Sequence, residues 1–522
     1  MPTFLDGSQN LASLSVPGVY VDIIPPRPTL IGSPTNFEGL VGIAQWGPVN
    51  SPTFFSSPDN CATIFGVPSV RARDLPTYVF AASNQGNAIG FVGVRVTDGT
   101  DTAASYIITT NCLTLTSKYT GTRGNQTQIV ITAGTAASSY NISVSFPGRQ
   151  PEIFSNIAGT ANAFWVNAAA AINLGNAFRG PSNIIIASAG VGTTVPTVST
   201  VYTLTGGTDG VTTITDTTLM GVDTVPRTGM YALRSSNIDA FTLCDLNTSS
   251  LWPACDVFAL SETCLAIQST VSGDTIASAI SARTTVGLDS FTTWIIMGDW
   301  PTFYDSQNAM TRLVSPSAIA VGLLGNLSPE QSPLNKRLPG VVQTQKTAAQ
   351  QAYSDADLSL AETGGIDLIV GPPTTPGGSY YTFITGRNAS SNTSGNGIEY
   401  TRMTLFISRT LQSKAAGSIV GRLQSMKPND RTRADAKALV DGFFASIKDP
   451  SVGSNGNGLI DDFATTCDLS NNPSYLQVRG FLFVYCAVRY LNVVRYFIIK
   501  LAGGGNVQVS SQATPPSPTQ FQ

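Results

Sequence analysis

The chain has 522 residues, only 12% of them charged, a formal net charge of −3 and no histidine. Typical soluble domains carry about 25% charged residues, so this chain, with 49 glycines and 31 prolines, is turn-rich and weakly charged. The missing histidine excludes Ser-His-Asp and Cys-His nucleophile systems and His-ligated metal centres, and the small net charge argues against nucleic-acid binding by the chain as a whole.

Residues 1–15 are polar and without period, and read as an arm that could reach roughly 50 Å when extended. Pro17-Gly18 is a turn. The short strand 19–24 follows, with Val19, Val21 and Ile23 on one side and Tyr20 and Asp22 on the other. Pro25-Pro26 ends it by removing backbone donors. Residues 39–44 (GLVGIA) read as a buried strand, 61–66 as a short element, 75–84 as a helix and 89–96 as a second buried strand.

These pieces, in this order, resemble the opening of contractile-tail sheath proteins of bacteriophages and related injection machines. Pro17-Gly18-Val19-Tyr20-Val21 stands where that family has PGVYV. GLVGIAQWGPVN stands where it has a VG-x-A-x-x-GP turn, and Phe65-Gly66 where it has FG.

After Asp98–Asp101 the composition shifts. Residues 102–207 are rich in Thr, Ser and Asn, with short alternating segments and one Ala-rich helix at 161–174, which predicts a small β-rich domain. It resembles the domain inserted into the sheath core. Its closing GGTDG is followed by no Gly-Lys-Ser/Thr and is not a phosphate loop. From 211 to 395, helical stretches alternate with buried strands through 257–260, 275–285, 293–297, 317–324, 365–370 and 381–385, which predicts an α/β layer. The family's middle portion is called subtilisin-like; without histidine that describes a fold only. Ser332-Pro333-Leu334-Asn335 and Gly386-Arg387-Asn388 stand where the family has Pro-Ala-Asn and Gly-x-Arg-Thr turns.

Residues 400–411, 412–426 and 434–447 read as helices. Between 401 and 437 lie eight Lys/Arg (402, 409, 414, 422, 427, 431, 433, 437) against Asp430 and Asp435 alone. That excess fits a solvated helix face, or a patch for an acidic protein partner built from Arg409, Lys414, Arg422 and Lys427. Residues 480–488 read as a strand buried on both faces, and 495–501 as a second strand. Arg479, Arg489 and Arg495 make a membrane span the poorer reading of this apolar run. Beyond the hinge Gly503–Gly505, residues 506–511, with Val507, Gln508 and Val509, read as a strand that can pair with another subunit. A polar Pro-rich tail closes the chain.

The whole chain thus reads as mixed α/β and α+β, multidomain, with extended terminal arms. The expected division is an N-terminal arm 1–24, first core part 25–100, inserted β-rich peripheral domain 101–207, α/β core 208–395, C-terminal domain 396–502 facing a tube, and C-terminal arm 503–522. The resemblance implies a non-enzymatic mechanical subunit. Copies would form stacked hexameric rings around an inner tail tube protein, meet baseplate and terminator proteins, and contract from a metastable lattice without nucleotide, metal or other cofactor. It implies no direct nucleic-acid contact, no membrane insertion, and a place in a virion tail after assembly in the host cytoplasm. The seven scattered cysteines, without a CxxC, read as reduced buried thiols, and no signal peptide is legible. The other classes weighed are a fibre or adhesin protein, favoured by the Thr/Ser/Asn-rich segment, and an α/β hydrolase using Asp256, Asp299 or Asp367, which no spacing pairs.

Overall fold

The computed structural model describes residues 30–86, 89–371, 380–413, 416–453 and 456–498. The arm residues Val19, Tyr20, Val21, Asp22, Ile23, Val507, Gln508 and Val509, and Lys414 of the basic segment, lie outside the described residues.

A six-stranded sheet forms the centre, in the order Thr293–Ile296, Leu265–Ser269, Ala240–Leu243, Phe37–Gly42, Gly90–Arg95, Thr53–Phe55. The first five are parallel and the last is antiparallel. The parallel strands are continuous apolar runs because both sheet faces are covered. Side-chain alternation sorts them into two layers. Leu40, Phe91, Ala240, Ile267, Trp294 and Ile296 face helices Leu75–Ser83 and Pro316–Asn326. Val41, Val92, Phe241, Ala266 and Ile295 face helices Trp252–Glu262 and Ile276–Thr285. The first two helices approach closely because Gly322 has no side chain; a Cβ there would lie 2.3 Å from the Ala82 carbonyl oxygen.

Between Gly90–Arg95 and Ala240–Leu243 the chain builds two antiparallel sheets. One has the order Ser105–Ile108, Leu113–Ser117, Ile185–Ala189; the other Val201–Thr203, Gln128–Ala133, Ser139–Ser145, Glu152–Ala158. With helix Asn162–Leu174 they enclose their own core around Phe154, Phe164 and Trp165. One residue of that core comes from outside the segment: Trp46 is fully buried there, its Nε1–H donating to Ser117 Oγ at 2.9 Å. Three arginines add to the join. Arg95 is fully buried and donates to the carbonyls of Gly47, Thr120 and Asp209. Arg71 pairs with Asp209 at 2.7 Å. Arg149 donates to the Thr63 carbonyl and lies over the Trp46 ring.

The C-terminal body contains helices Ile398–Leu411 and Arg431–Lys448 and the antiparallel pair Ile460–Thr466 and Tyr485–Tyr490. Asp430 caps the second helix by accepting from Arg433 N–H at 3.0 Å. Phe406, Phe443, Phe444 and Ile460 form its core, and Leu30 packs into the same cluster.

Three expectations are corrected here. Residues 412–426 are not a helix; among the described residues they hold only the short 3₁₀ turn Ala416–Ile419. Gly417 and Gly421, the latter at φ +87°, together with Ser413 and Ser418, disfavour a helix interior. The run 480–488 is not a doubly buried strand. Gly480 sits at φ +80°, the strand spans Tyr485–Tyr490, and its residues alternate exposed and half-buried because one helix layer covers one face. Described residues 495–498 form no strand, and Tyr496, Phe497 and Ile498 are exposed.

Candidate assembly surface

The two-stranded sheet is the exceptional element. A two-stranded piece is marginal alone and needs a layer or further strands. Helix Arg431–Lys448 supplies one layer: Phe444 stacks on Phe463 at 5.3 Å between centroids, while Cys486, Val488 and Tyr490 turn towards the same core. Neither strand pairs with any third strand among the described residues. Each therefore presents one row of backbone N–H and C=O groups without a ladder partner, which is a template for an incoming strand. Charges flank the pair: Lys448 meets Asp462 at 2.8 Å, and Arg489 meets Asp461.

Both ends of the described chain leave from this body. Leu30 is buried beside Met403 and Phe406, and Ser33 N–H donates to Thr410 Oγ1 at 3.0 Å. At the other end, Arg495 donates to the Thr385 carbonyl at 2.7 Å and faces Glu399, and Asn492 accepts from the Tyr400 hydroxyl.

The expected basic patch is divided by the structure. Arg409 does not belong to it. It is buried, and its guanidinium pairs with Asp239 and donates to the Ile238 carbonyl. Arg402, about two turns earlier on the same helical face, is fully buried and pairs with the same Asp239 at 2.9 Å. It also donates to the carbonyls of Leu324 and Leu327. Arg433 is buried as well, donating to the Ser425 carbonyl at 2.6 Å. Buried guanidinium groups must be paired and hydrogen-bonded, and these are. Arg422, Lys427 and Arg431 are exposed; Arg422 shares Asp435 with its neighbour Arg431.

The Asp239 cluster pins helix Ile398–Leu411 to the central sheet. Glu38 on the middle strand belongs to it. Its Oε2 accepts from Ala240 N–H at 3.0 Å, and its Oε1 is buried without a partner. Burial first, then the charge of Asp239, hold its carboxyl well above the usual range, against the opposing pull of Arg402 and Arg409. Charge counting along the sequence missed this cluster. The available signal was spacing: Arg402 and Arg409 are seven apart, on the stripe of a helix that also carries Met403 and Phe406.

The three carboxylates weighed for hydrolysis are each occupied by protein donors. Asp256 accepts from the Thr292 and Thr293 hydroxyls. Asp299 accepts from Lys346 N–H and Tyr353 OH. Asp367 accepts from Trp294 Nε1–H and from the N–H groups of Thr385 and Gly386. Among the described residues no three acidic or thiol groups cluster as metal ligands, and no helix is long and apolar enough to cross a membrane.

No family model matches the chain, and no curated protein matches it in sequence. Solved structures match its shape. The sheath tail protein of Listeria innocua superposes with a TM-score of 0.59 at 13% identity, over 89% of this chain and 96% of that one. The sheath tail protein of Desulfitobacterium hafniense gives 0.53 at 16% identity, over 86% and 93%. The helical sheath of the anti-feeding prophage in its contracted state gives 0.53 at 11% identity, over 94% and 100%. At these identities the likeness is one of fold, and it extends over nearly the whole chain.

Proposed function

This chain has the fold of tail sheath proteins, and on that premise we propose that it is a structural subunit of a contractile sheath. Copies polymerise helically, as stacked hexameric rings, around an inner tube protein. Contraction is a switch between two lattices, its energy stored in the metastable one, and it needs no catalytic step. The assembled place is a virion tail, with baseplate and terminator proteins at its two ends. The observation that carries the reading is the open two-stranded sheet beside the exits of both chain ends, in a chain of sheath fold.

The mechanism follows from backbone chemistry. Residues 19–24 and 506–511 are strand-capable segments outside the described fold, each bounded by a turn or hinge. They add to the open edges of Ile460–Thr466 and Tyr485–Tyr490 on neighbouring copies. Each ladder hydrogen bond contributes only about 0.5–1.5 kcal/mol net. Repetition around the lattice makes the tie strong while each body remains free to turn. The inserted sheets between 101 and 207 lie at the periphery. Arg422, Lys427 and Arg431 face the tube as an exposed basic patch.

Negative-stain microscopy of the concentrated, purified full chain tests the proposal. Rings or tubes of uniform width are expected. Single globular particles at every concentration would overturn it in favour of an enzyme, and elongated rods in favour of an adhesin.

A further inference from the structure

Beside the two-stranded sheet lies a second unsatisfied surface, apolar rather than hydrogen-bonding. A groove of about 700 Å³ runs between the 419–424 turn, helix Arg431–Lys448 and the 477–484 segment. Its floor is Leu439, Val440 and Val484, and its rim is Val420, Leu423 and Phe481. Val420 and Leu423 are 85% and 93% exposed. Side chains this apolar, held on a turn and aimed outward around a concave floor, mark a binding surface.

We infer that this groove receives the apolar residues Phe4, Leu5, Leu11 and Leu14 of the N-terminal arm of a second copy. The inference rests on the proposed reading that arms tie copies together. It differs in using side-chain burial instead of strand pairing, at another place on the body.

Three observations select this occupant. The first is where the chain leaves. Leu30 shares a core cluster with the groove residues Leu439 and Val440. The 29 residues before it reach roughly 95 Å when extended, against a radius of gyration of roughly 24 Å for a folded chain of this length. A neighbouring body is within reach. The second is composition. The Pro-rich run Pro25-Pro26-Arg27-Pro28 is a sequence suited to a stiff spacer between Leu30 and the apolar residues 4–14. The third is charge. Arg422 lines the groove, and exposed Arg431 and Arg479 are chain neighbours of its lining residues Thr432, Val478 and Gly480; Asp435, paired with Arg422 and Arg431, offsets one of these three charges. Residues 1–24 carry Asp6 and Asp22 and no Lys or Arg, whereas the C-terminal residues 501–522 carry no charged side chain at all. The acidic, leucine-bearing arm is the complementary one.

The test uses a fluorescent peptide of residues 1–24 titrated with the full chain and read by anisotropy. Saturable binding is expected. Leu423→Asp in the protein, or Leu11→Asp with Leu14→Asp in the peptide, should weaken it at least about tenfold. Leu423 is so exposed that its substitution leaves the fold intact. Absence of saturable binding, or binding indifferent to Leu423→Asp, overturns the inference. A full chain carrying Leu11→Cys and Leu423→Cys, treated with a short thiol cross-linker beside single-cysteine controls, should give a ladder of covalent oligomers. Cross-linked monomer alone would place the chain's own arm in the groove and overturn the role of a second copy. Tubes that form without a ladder sink this docking and spare the sheath reading; a ladder without tubes does the reverse.

Discussion

The inserted sheets and the C-terminal body are both small α+β units, yet they solve the burial problem in opposite ways. The insert buries its large aromatics, Phe154, Phe164 and Trp165, and takes Trp46 from the central unit to complete the set. Its most exposed apolar residues, Leu174, Phe178 and Val191, sit at element ends and turns, while Ile107, Ile153, Val166, Ile186 and Val201 are about half exposed on its strands and helix. The C-terminal body leaves Phe481, Phe483, Tyr485, Tyr496 and Phe497 about half or more exposed, and its sheet stops at two strands. Apolar surface costs free energy in water whatever its sequence origin. The insert shares a closed aromatic core with the central unit, and on the proposed reading the open edges of the C-terminal body are covered by chain from another copy.

The largest test of this contrast is truncation. Removing residues 1–24, or 503–522, should abolish tubes while leaving thermal unfolding near that of the full chain, because neither segment belongs to a described core. Val21→Pro should act alike by deleting one ladder donor. Calorimetry and microscopy on the same samples check both halves; a truncated chain that still builds tubes, or one that unfolds, breaks the contrast.

Cutting the joins comes next. Asp239→Ala leaves Arg402 and Arg409 buried without their carboxylate and should cost about 3–5 kcal/mol in urea unfolding. Trp46→Ala should cost about 3–5 kcal/mol and loosen the insert. Excising the insert with a linker between Thr100 and Gly210 should still allow tubes, at lower thermal stability, since Trp46 and Arg95 lose their cover. A folded excision variant that cannot assemble would place the insert in the lattice.

These joins also show what a sequence can and cannot reveal. The central strands were legible because 39–44 and 89–96 are runs whose both faces are covered by the same chain. The short antiparallel strands between 102 and 207 were legible from the change of composition and the regular turns. The apolar run 480–488 was misread because local hydrophobicity cannot say whose atoms do the covering. Arg409 was misread because a charge count ignores helical phase. Trp46 stood in a recognisable turn, but its partner Ser117 is 71 residues away, so its role as a key between units is a tertiary fact.

A smaller effect concerns Glu38. Its folded carboxyl titrates above the unfolded one, so the native state holds the proton over the interval between them. Stability then falls as pH rises through that interval. Glu38→Gln should flatten this slope, matching the parent below the interval and exceeding it above. Parallel pH profiles for the two proteins would assign the slope to other groups.

The smallest effect on folding, and the most specific on assembly, belongs to the exposed cations. Arg422→Glu, Lys427→Glu and Arg431→Glu lie on the surface of the unfinished body, and each should change folding stability by no more than about 0.5 kcal/mol. On the proposed reading they act on the tube at a distance. At physiological salt an exposed charge acts over roughly 8 Å, and further in dilute buffer. The triple variant should therefore still form rings of itself but co-assemble poorly with the inner tube protein, with the largest deficit at low ionic strength. Arg409→Glu should behave otherwise: it buries a second carboxylate against Asp239 and should unfold the C-terminal body before tube binding can be measured. If the triple variant recruits tube protein as well as the parent at every salt concentration, the three cations are a solvated face and the tube meets another surface.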